Sequence, residues 1–126
     1  MDTLKREPTK AEVRLQSWRI IDSQEFAKTV KLRCLFTYLV ELKLNAAPPE
    51  AFTENALFVD FFAEGRPDAI ATFDCHVNRI VAVTMYHLKA KLRRYYERQG
   101  SSDPVMIDFI GNQPRASYRD FHSLVA

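Results

Sequence analysis

One stretch of the chain constrains the fold more than any other. It runs over residues 78–100 and has the sequence NRIVAVTMYHLKAKLRRYYERQG. Apolar side chains recur there at steps of four and three, which predicts an amphipathic helix over 79–98. The apolar seam consists of Val81, Met85, Leu88, Leu92 and Tyr95. We expect Asn78 to cap the start of this helix and Gly100 to permit its end.

The same stretch concentrates positive charge. Residues 79–98 hold six basic side chains and one acidic one, although the net charge of the whole chain is only +2. Residues 50–78 have the opposite balance, with one basic and six acidic side chains. This separation predicts one cationic and one acidic surface, as in proteins that bind polyanions. Solvated charge on the outside of a helix explains the pattern equally well.

Composition limits the class of protein. A chain of 126 residues is expected to form one domain with a single core. Its N-terminus is polar, and no apolar run is long enough to span a bilayer, so we expect neither a signal peptide nor a membrane segment. The cysteines, Cys34 and Cys75, lack the spacing of a disulfide framework. A reduced, cytoplasmic protein is the simplest interpretation.

The sequence does not predict an enzyme. The three histidines lie in different segments, and there is neither a glycine-rich phosphate loop nor a visible nucleophile–base pair. Cys75 and His76 supply only two adjacent metal ligands, so a loop pair is the preferred interpretation. We therefore expect no catalytic residues, no metal and no cofactor.

Two helices are predicted in the first third of the chain. Residues 9–12 have the form of a capping box and open the first helix. Its expected buried side chains are Leu15, Trp18 and Ile21. Ser23 is expected to cap a short turn that begins at Glu25 and Phe26. A second helix over 28–44 ends at the alanine–proline segment 46–49. Its apolar face consists of Leu32, Leu35, Phe36, Leu39, Val40 and Leu42.

A third helix and a hairpin complete the predicted domain. Thr53 is expected to cap a helix from Glu54 to about Ala63, which residues 65–67 then break. After Gly100 the pattern becomes that of strands, with 105–110 as the first strand, 111–114 as the turn and 116–121 as the second strand. Three to four helices followed by a small C-terminal β-hairpin is the element order of a winged helix-turn-helix.

Segments spread over about three-quarters of the chain also match one family pattern in order. Those before the basic helix are 23–26, 32–41 and 54–62, and the later ones are 73–74, 78–83, 87–92, 95–96, 103–105 and Tyr118. On these segments the chain from Phe26 to Phe121 resembles the OmpR/PhoB-type winged-helix domain. The similar version is found in CadC-like regulators and in bacterial proteins with tetratricopeptide repeats or adenylate-cyclase domains. The resemblance implies an N-terminal extension with a helix (1–22), a winged-helix domain (23–121) and a tail (122–126).

The chain departs from that pattern on the surfaces that would face DNA. Ala82 stands where the family has arginine, and Tyr86-His87 replaces a basic pair. Residues 111–115 replace a hairpin turn that usually contains lysine and glycine. The resemblance therefore implies the fold more specifically than the mode of DNA contact.

Helical projection of residues 79–98 places the candidate DNA-binding side chains opposite or beside the apolar seam. Arg79 and Lys89 are candidates for guanine edges or phosphates, and Val83 for a thymine methyl group. Tyr86 and His87 are candidate hydrogen-bond partners of bases; packing on a neighbouring turn explains Tyr86 equally well. Arg93 and Arg94 in the helix are the expected phosphate contacts. Arg115 in the hairpin turn is the candidate wing residue, because an exposed cation there could reach a narrow minor groove; a solvated turn arginine explains it nearly as well.

Two functions follow as hypotheses. In the first, the chain is a bacterial transcription regulator that binds double-stranded DNA, with helix 79–98 in the major groove and the wing, 105–121, on the backbone or in the minor groove. A homodimer on DNA, head-to-tail or symmetric, is compatible with this. In the second, the winged helix is a protein-interaction module that docks on RNA polymerase, on another regulator or on a membrane sensor. The cationic helix favours DNA, whereas Ala82 and Tyr86-His87 favour a protein partner.

Overall fold

The computed structural model describes residues 7–63 and 79–119. Four predicted features therefore lie outside the described residues: the Asn78 cap, the helix break at 65–67, the Cys75–His76 pair and the C-terminal tail. Within the described part of the chain, no helix is long and apolar enough to cross a membrane.

The described chain is mainly α-helical and ends in a β-hairpin, as predicted. The helices are α1 (Lys10–Ile21), α2 (Val30–Leu44), α3 (Glu54–Leu57) and α4 (Ile80–Glu97), and the strands are β1 (Val105–Ile110) and β2 (Gln113–Tyr118). A 3₁₀ turn (Pro49–Phe52) precedes α3, and a π-helical turn (Phe58–Phe62) continues it. Thr53 caps α3 through its side chain, which accepts from the amide of Ala56.

One hydrophobic core joins the helices to the hairpin. The whole predicted seam of α4 is buried in it, and so are Leu35, Phe36, Leu39 and Val40 of α2. Leu57, Phe58 and Phe62 close the core from the third helical segment, and Val105 and Ile107 close it from β1. The hairpin therefore lies on the same core as α4, which fixes their relative position.

The first helix forms where predicted but buries a different face. Thr9 and Glu12 make both hydrogen bonds of a capping box. The buried side chains of α1 are Val13, Gln16, Ser17 and Ile20, whereas Leu15 and Trp18 are exposed and Ile21 is half-buried. The prediction followed the more apolar stripe. The other face, with Gln16 and Ser17, packs into the core instead. It can do so because the polar atoms of both side chains are hydrogen-bonded there.

Gln16 belongs to a buried polar network that holds α1, α4 and β1 together. Its amide nitrogen donates to the Tyr96 hydroxyl at 3.2 Å and to the Asp103 carboxylate at 2.8 Å. Tyr95 donates to the same carboxylate oxygen of Asp103. Burial raises the pKa of Tyr96 to about 12. This network explains why a glutamine is fully buried in a small core.

Two other local predictions were wrong. Ser23 does not cap a turn through its side chain; its hydroxyl donates back to the Ile20 carbonyl at the end of α1. The hairpin turn is shorter than predicted, because Gln113 and Pro114 already belong to β2, opposite Ile110 and Phe109. Gly111 has a φ of 61°, so it suits the first position of a two-residue II′ turn.

Candidate nucleic-acid interface

The exposed face of α4 lies opposite its buried seam and carries most of the predicted site. Arg79 stands at the N-cap position and is exposed, and its side chain makes no capping hydrogen bond. Val83, one turn later, is 49% exposed, and Tyr86, two turns later, is 70% exposed. The imidazole of His87 lies edge-on to the Tyr86 ring, with 5.6 Å between ring centroids. The N-terminal half of α4 thus presents a mixed surface of apolar, aromatic and cationic groups.

Lys89 and Arg93 continue this face toward the C-terminal half of the helix. Both line a groove of about 470 Å³ between α4 and β1. The groove floor is apolar, with Leu92, Ile107 and Phe109, and its other lining residues are Tyr96, Glu97, Met106, Asp108 and Arg119. The groove places these two cations beside the hairpin.

Three cations, one at the N-cap of α4 and two within the helix, have no ion-pair partner among residues 7–63 and 79–119. They are Arg79, Lys89 and Arg93. All three lie on the face that the helical projection predicts, where Arg79 and Arg93 are exposed and Lys89 is half-buried. A rise of 1.5 Å per residue separates the first two by about 15 Å and the last two by about 6 Å along the axis. We call this set the free cationic row.

The other three basic residues of this stretch meet one carboxylate. Glu25 lies in the turn between α1 and α2, and its side chain is only 12% exposed. Arg94 Nε contacts Glu25 Oε2 at 3.0 Å, Lys91 Nζ lies 3.8 Å from the same oxygen, and Arg98 Nη1 lies 3.7 Å from Oε1. We call Lys91, Arg94 and Arg98 the paired cationic row. The Arg94 hydrogen bond, with the charges of all three, lowers the pKa of Glu25.

Sequence reasoning did not find Glu25. It grouped Arg94 with the phosphate contacts because a helical projection shows only which face a side chain takes. The pairing depends on where the turn at 22–28 crosses α4, about seventy residues away in sequence. The one signal for Glu25 in the sequence was its position in segment 23–26, which matches the family pattern.

Arg115 is not in the hairpin turn, where the sequence placed it. It lies in β2 directly opposite Asp108, and its guanidinium binds that carboxylate through two nitrogens at 3.1 and 2.9 Å. The turn has only two residues, so β2 begins at Gln113 and Arg115 is its third residue. The turn itself presents Gly111 and Asn112, and the Asn112 amide donates to the Phe52 carbonyl.

No group of three or more potential metal ligands occurs within the described parts of the chain. Comparison of the chain with known protein families finds no match. Curated proteins and solved structures give no match either. The resemblance to the OmpR/PhoB-type domain thus stays a prediction, and the function has to be argued from the geometry of α4 and the hairpin.

Proposed function

We propose that the chain is a transcriptional regulator that binds duplex DNA sequence-specifically, with α4 in the major groove. The observation that carries the proposal is the free cationic row on an exposed helix face next to a hairpin. A major groove about 12 Å wide admits one α-helix. Cations without an ion-pair partner in the described parts of the chain can bind phosphates with no such ion pair to break first.

The roles of individual residues follow from their positions along α4. Val83, Tyr86 and His87 lie in the N-terminal half, which in helix-turn-helix proteins contacts base edges. Arg79 and Lys89 are the candidates for guanine edges or phosphates. Arg93 lies nearer the hairpin and is assigned to the backbone. Arg94 and Arg115 are not assigned to DNA, because each already binds a carboxylate.

The hairpin is assigned to the sugar–phosphate backbone or the minor groove beside α4. Its support is position alone: β1 packs on the same core as α4 and borders the groove that holds Lys89 and Arg93. Gly111 leaves the tip of the turn open, since an added Cβ would meet nothing within 4 Å. Because Gly111 and Asn112 carry no charge, we expect the tip of the turn to contact DNA through its shape and not through ion pairs.

The proposal is tested by titrating the whole chain against a random-sequence duplex at several salt concentrations. Three phosphate contacts predict a slope of about −2.7 in log affinity against log salt, which corresponds to about a 40-fold loss between roughly 50 and 200 mM. Selection from random duplexes then tests sequence specificity. A chain without measurable affinity at low salt would overturn the proposal.

A second candidate function has one specific observation in its favour. Ile80, Val83 and Tyr86 form an exposed apolar strip along the first two turns of α4, with 42%, 49% and 70% exposure. Such a strip suits a protein partner, for example RNA polymerase or another regulator. The same titration separates the two candidates, because a docking module for proteins has no salt-dependent affinity for duplex DNA.

A further inference from the structure

The Glu25 carboxylate is held in place by contacts to its main chain as well as its side chain. Lys91 Nζ donates to the Glu25 carbonyl at 2.9 Å, and the Glu25 amide donates to the Gln99 side chain at 3.3 Å. The side chain then reaches Arg94 and Arg98 from a position that is largely buried. The carboxylate is therefore fixed against the flank of α4 and is not free in solvent.

This arrangement divides the charge of α4 into two rows with different chemistry. A phosphate and a carboxylate are both oxyanions that bind lysine and arginine by charge-assisted hydrogen bonds. A cation in the paired row must release Glu25 before it binds a phosphate. A phosphate that approached that flank would also face an uncompensated carboxylate, which repels it.

Glu25 also lines a cleft on the same flank of α4. Its volume is about 450 Å³, and its lining residues are Gln24, Glu25, Lys28, Thr29, Lys91, Arg98 and Gln99. Apart from Glu25, every charged residue of this lining is a cation. Without the carboxylate, the cleft has the size and charge to take a backbone phosphate group.

We infer that Glu25 acts as an internal substitute for phosphate, which restricts DNA contact to the free cationic row and keeps the flank of α4 off the duplex. The inference rests on the proposed function. One consequence is orientation: with charge available on one face only, α4 has a single favourable way to enter the groove. Glu25 thus contributes to specificity by suppressing non-specific, charge-driven binding modes.

The test uses Glu25→Gln, which removes the charge and keeps the size of the side chain. We expect the salt slope on random duplex to steepen by about two to three units as the paired row becomes available. The ratio of target to random-duplex affinity should fall. Glu41→Gln is the matched control: Glu41 also binds an arginine, Arg14, at 2.9 Å, but it joins α2 to α1 and should leave the slope unchanged.

One further double variant tests the inference in two backgrounds, and its result in the native background does not depend on whether Glu25→Gln folds. Arg94→Ala with Arg98→Ala should leave the slope of the native chain unchanged, and should abolish the gain in the Glu25→Gln background. If this pair flattens the native slope as much as Lys89→Ala with Arg93→Ala does, the flank contacts DNA and the inference is overturned.

The two proposals fail in different ways. If Glu25→Gln is folded and binds with the native slope, while Lys89→Ala with Arg93→Ala still flattens it, only the inference is overturned. If neither the native chain nor any variant binds duplex DNA at low salt, the proposed function is overturned and the inference with it.

Discussion

The hydroxyl of Tyr96 accepts a hydrogen bond from the backbone amide of Ile107 at 2.9 Å and donates to the Val105 carbonyl at the same distance. Among the described residues, strand β1 has a strand partner on one edge only. A side chain of α4 therefore satisfies two buried backbone groups that would otherwise lack a partner. This contact ties the candidate DNA-reading helix directly to the hairpin.

Removal of that hydroxyl should destabilise the fold. We expect Tyr96→Phe to lower the free energy of unfolding by about 1–3 kcal/mol, since the Val105 and Ile107 groups stay buried without their partner. Urea denaturation measures the change. Tyr86→Phe is the control, because Tyr86 is 70% exposed and its loss should change stability by less than about 0.5 kcal/mol. Equal stability of the two variants would contradict this role.

A gain of stability is expected at the end of α2. Ala46 has a φ of 58°, and the amides of Ala46 and Ala47 donate to the carbonyls of Lys43 and Leu42, which is the pattern of a Schellman motif. Glycine adopts this left-handed conformation without the steric cost of a Cβ. We expect Ala46→Gly to raise the thermal midpoint by stabilising the fold by about 0.5–1 kcal/mol.

The control for that substitution is Ala90→Gly in the interior of α4. There glycine has no conformational advantage, and the change should cost about 1 kcal/mol. If both glycine variants are destabilised equally, the left-handed conformation of Ala46 is not a source of strain.

Acid should remove the stabilisation that Glu25 provides. The Arg94 hydrogen bond and the neighbouring cations lower the pKa of Glu25 from its ordinary value of 4.5. The contribution of such a group is fully present above the ordinary pKa, and it disappears as pH falls through the lowered one. The native chain should therefore be more stable than Glu25→Gln at neutral pH.

That difference should shrink once pH falls below about 4.5, because the native carboxylate then takes up the proton that glutamine cannot. Thermal unfolding of both chains over a pH series measures it. A difference that stays constant down to low pH would show that charge at Glu25 does not stabilise the fold.

The sequence predicted those parts of the fold that depend on local periodicity. The seam of α4 and the apolar face of α2 repeat at helical spacing. The seam is buried, and so are four of the six residues of the α2 face, with Leu32 and Leu42 half-buried. In α1 two stripes compete, and the less apolar one faces the core. The hydrogen bonds that allow Gln16 to be buried come from Tyr96 and Asp103. These residues lie 80 and 87 positions away in sequence, so the local pattern around Gln16 could not predict them.

The candidate site shows the same limit. The exposed face of α4 follows from its own sequence, and Arg79 and Arg93 are exposed on it as predicted, whereas Lys89 is half-buried. The pairing of Arg94 with Glu25 depends on tertiary packing, and the pairing of Arg115 with Asp108 depends on strand register. For this reason the sequence did not show that these two cations differ from the free cationic row. A turn that is two residues shorter than predicted is enough to change which cations remain available.

The most direct test of the account compares two double variants with the same loss of charge. Lys89→Ala with Arg93→Ala removes two members of the free cationic row, while Lys10→Ala with Lys31→Ala removes two exposed lysines from the first turns of α1 and α2. The measurement is the salt dependence of affinity for duplex DNA. We predict that the first pair flattens the slope by about two units and that the second leaves it unchanged. Equal slopes for both variants and the native chain would contradict the claim that α4 binds DNA.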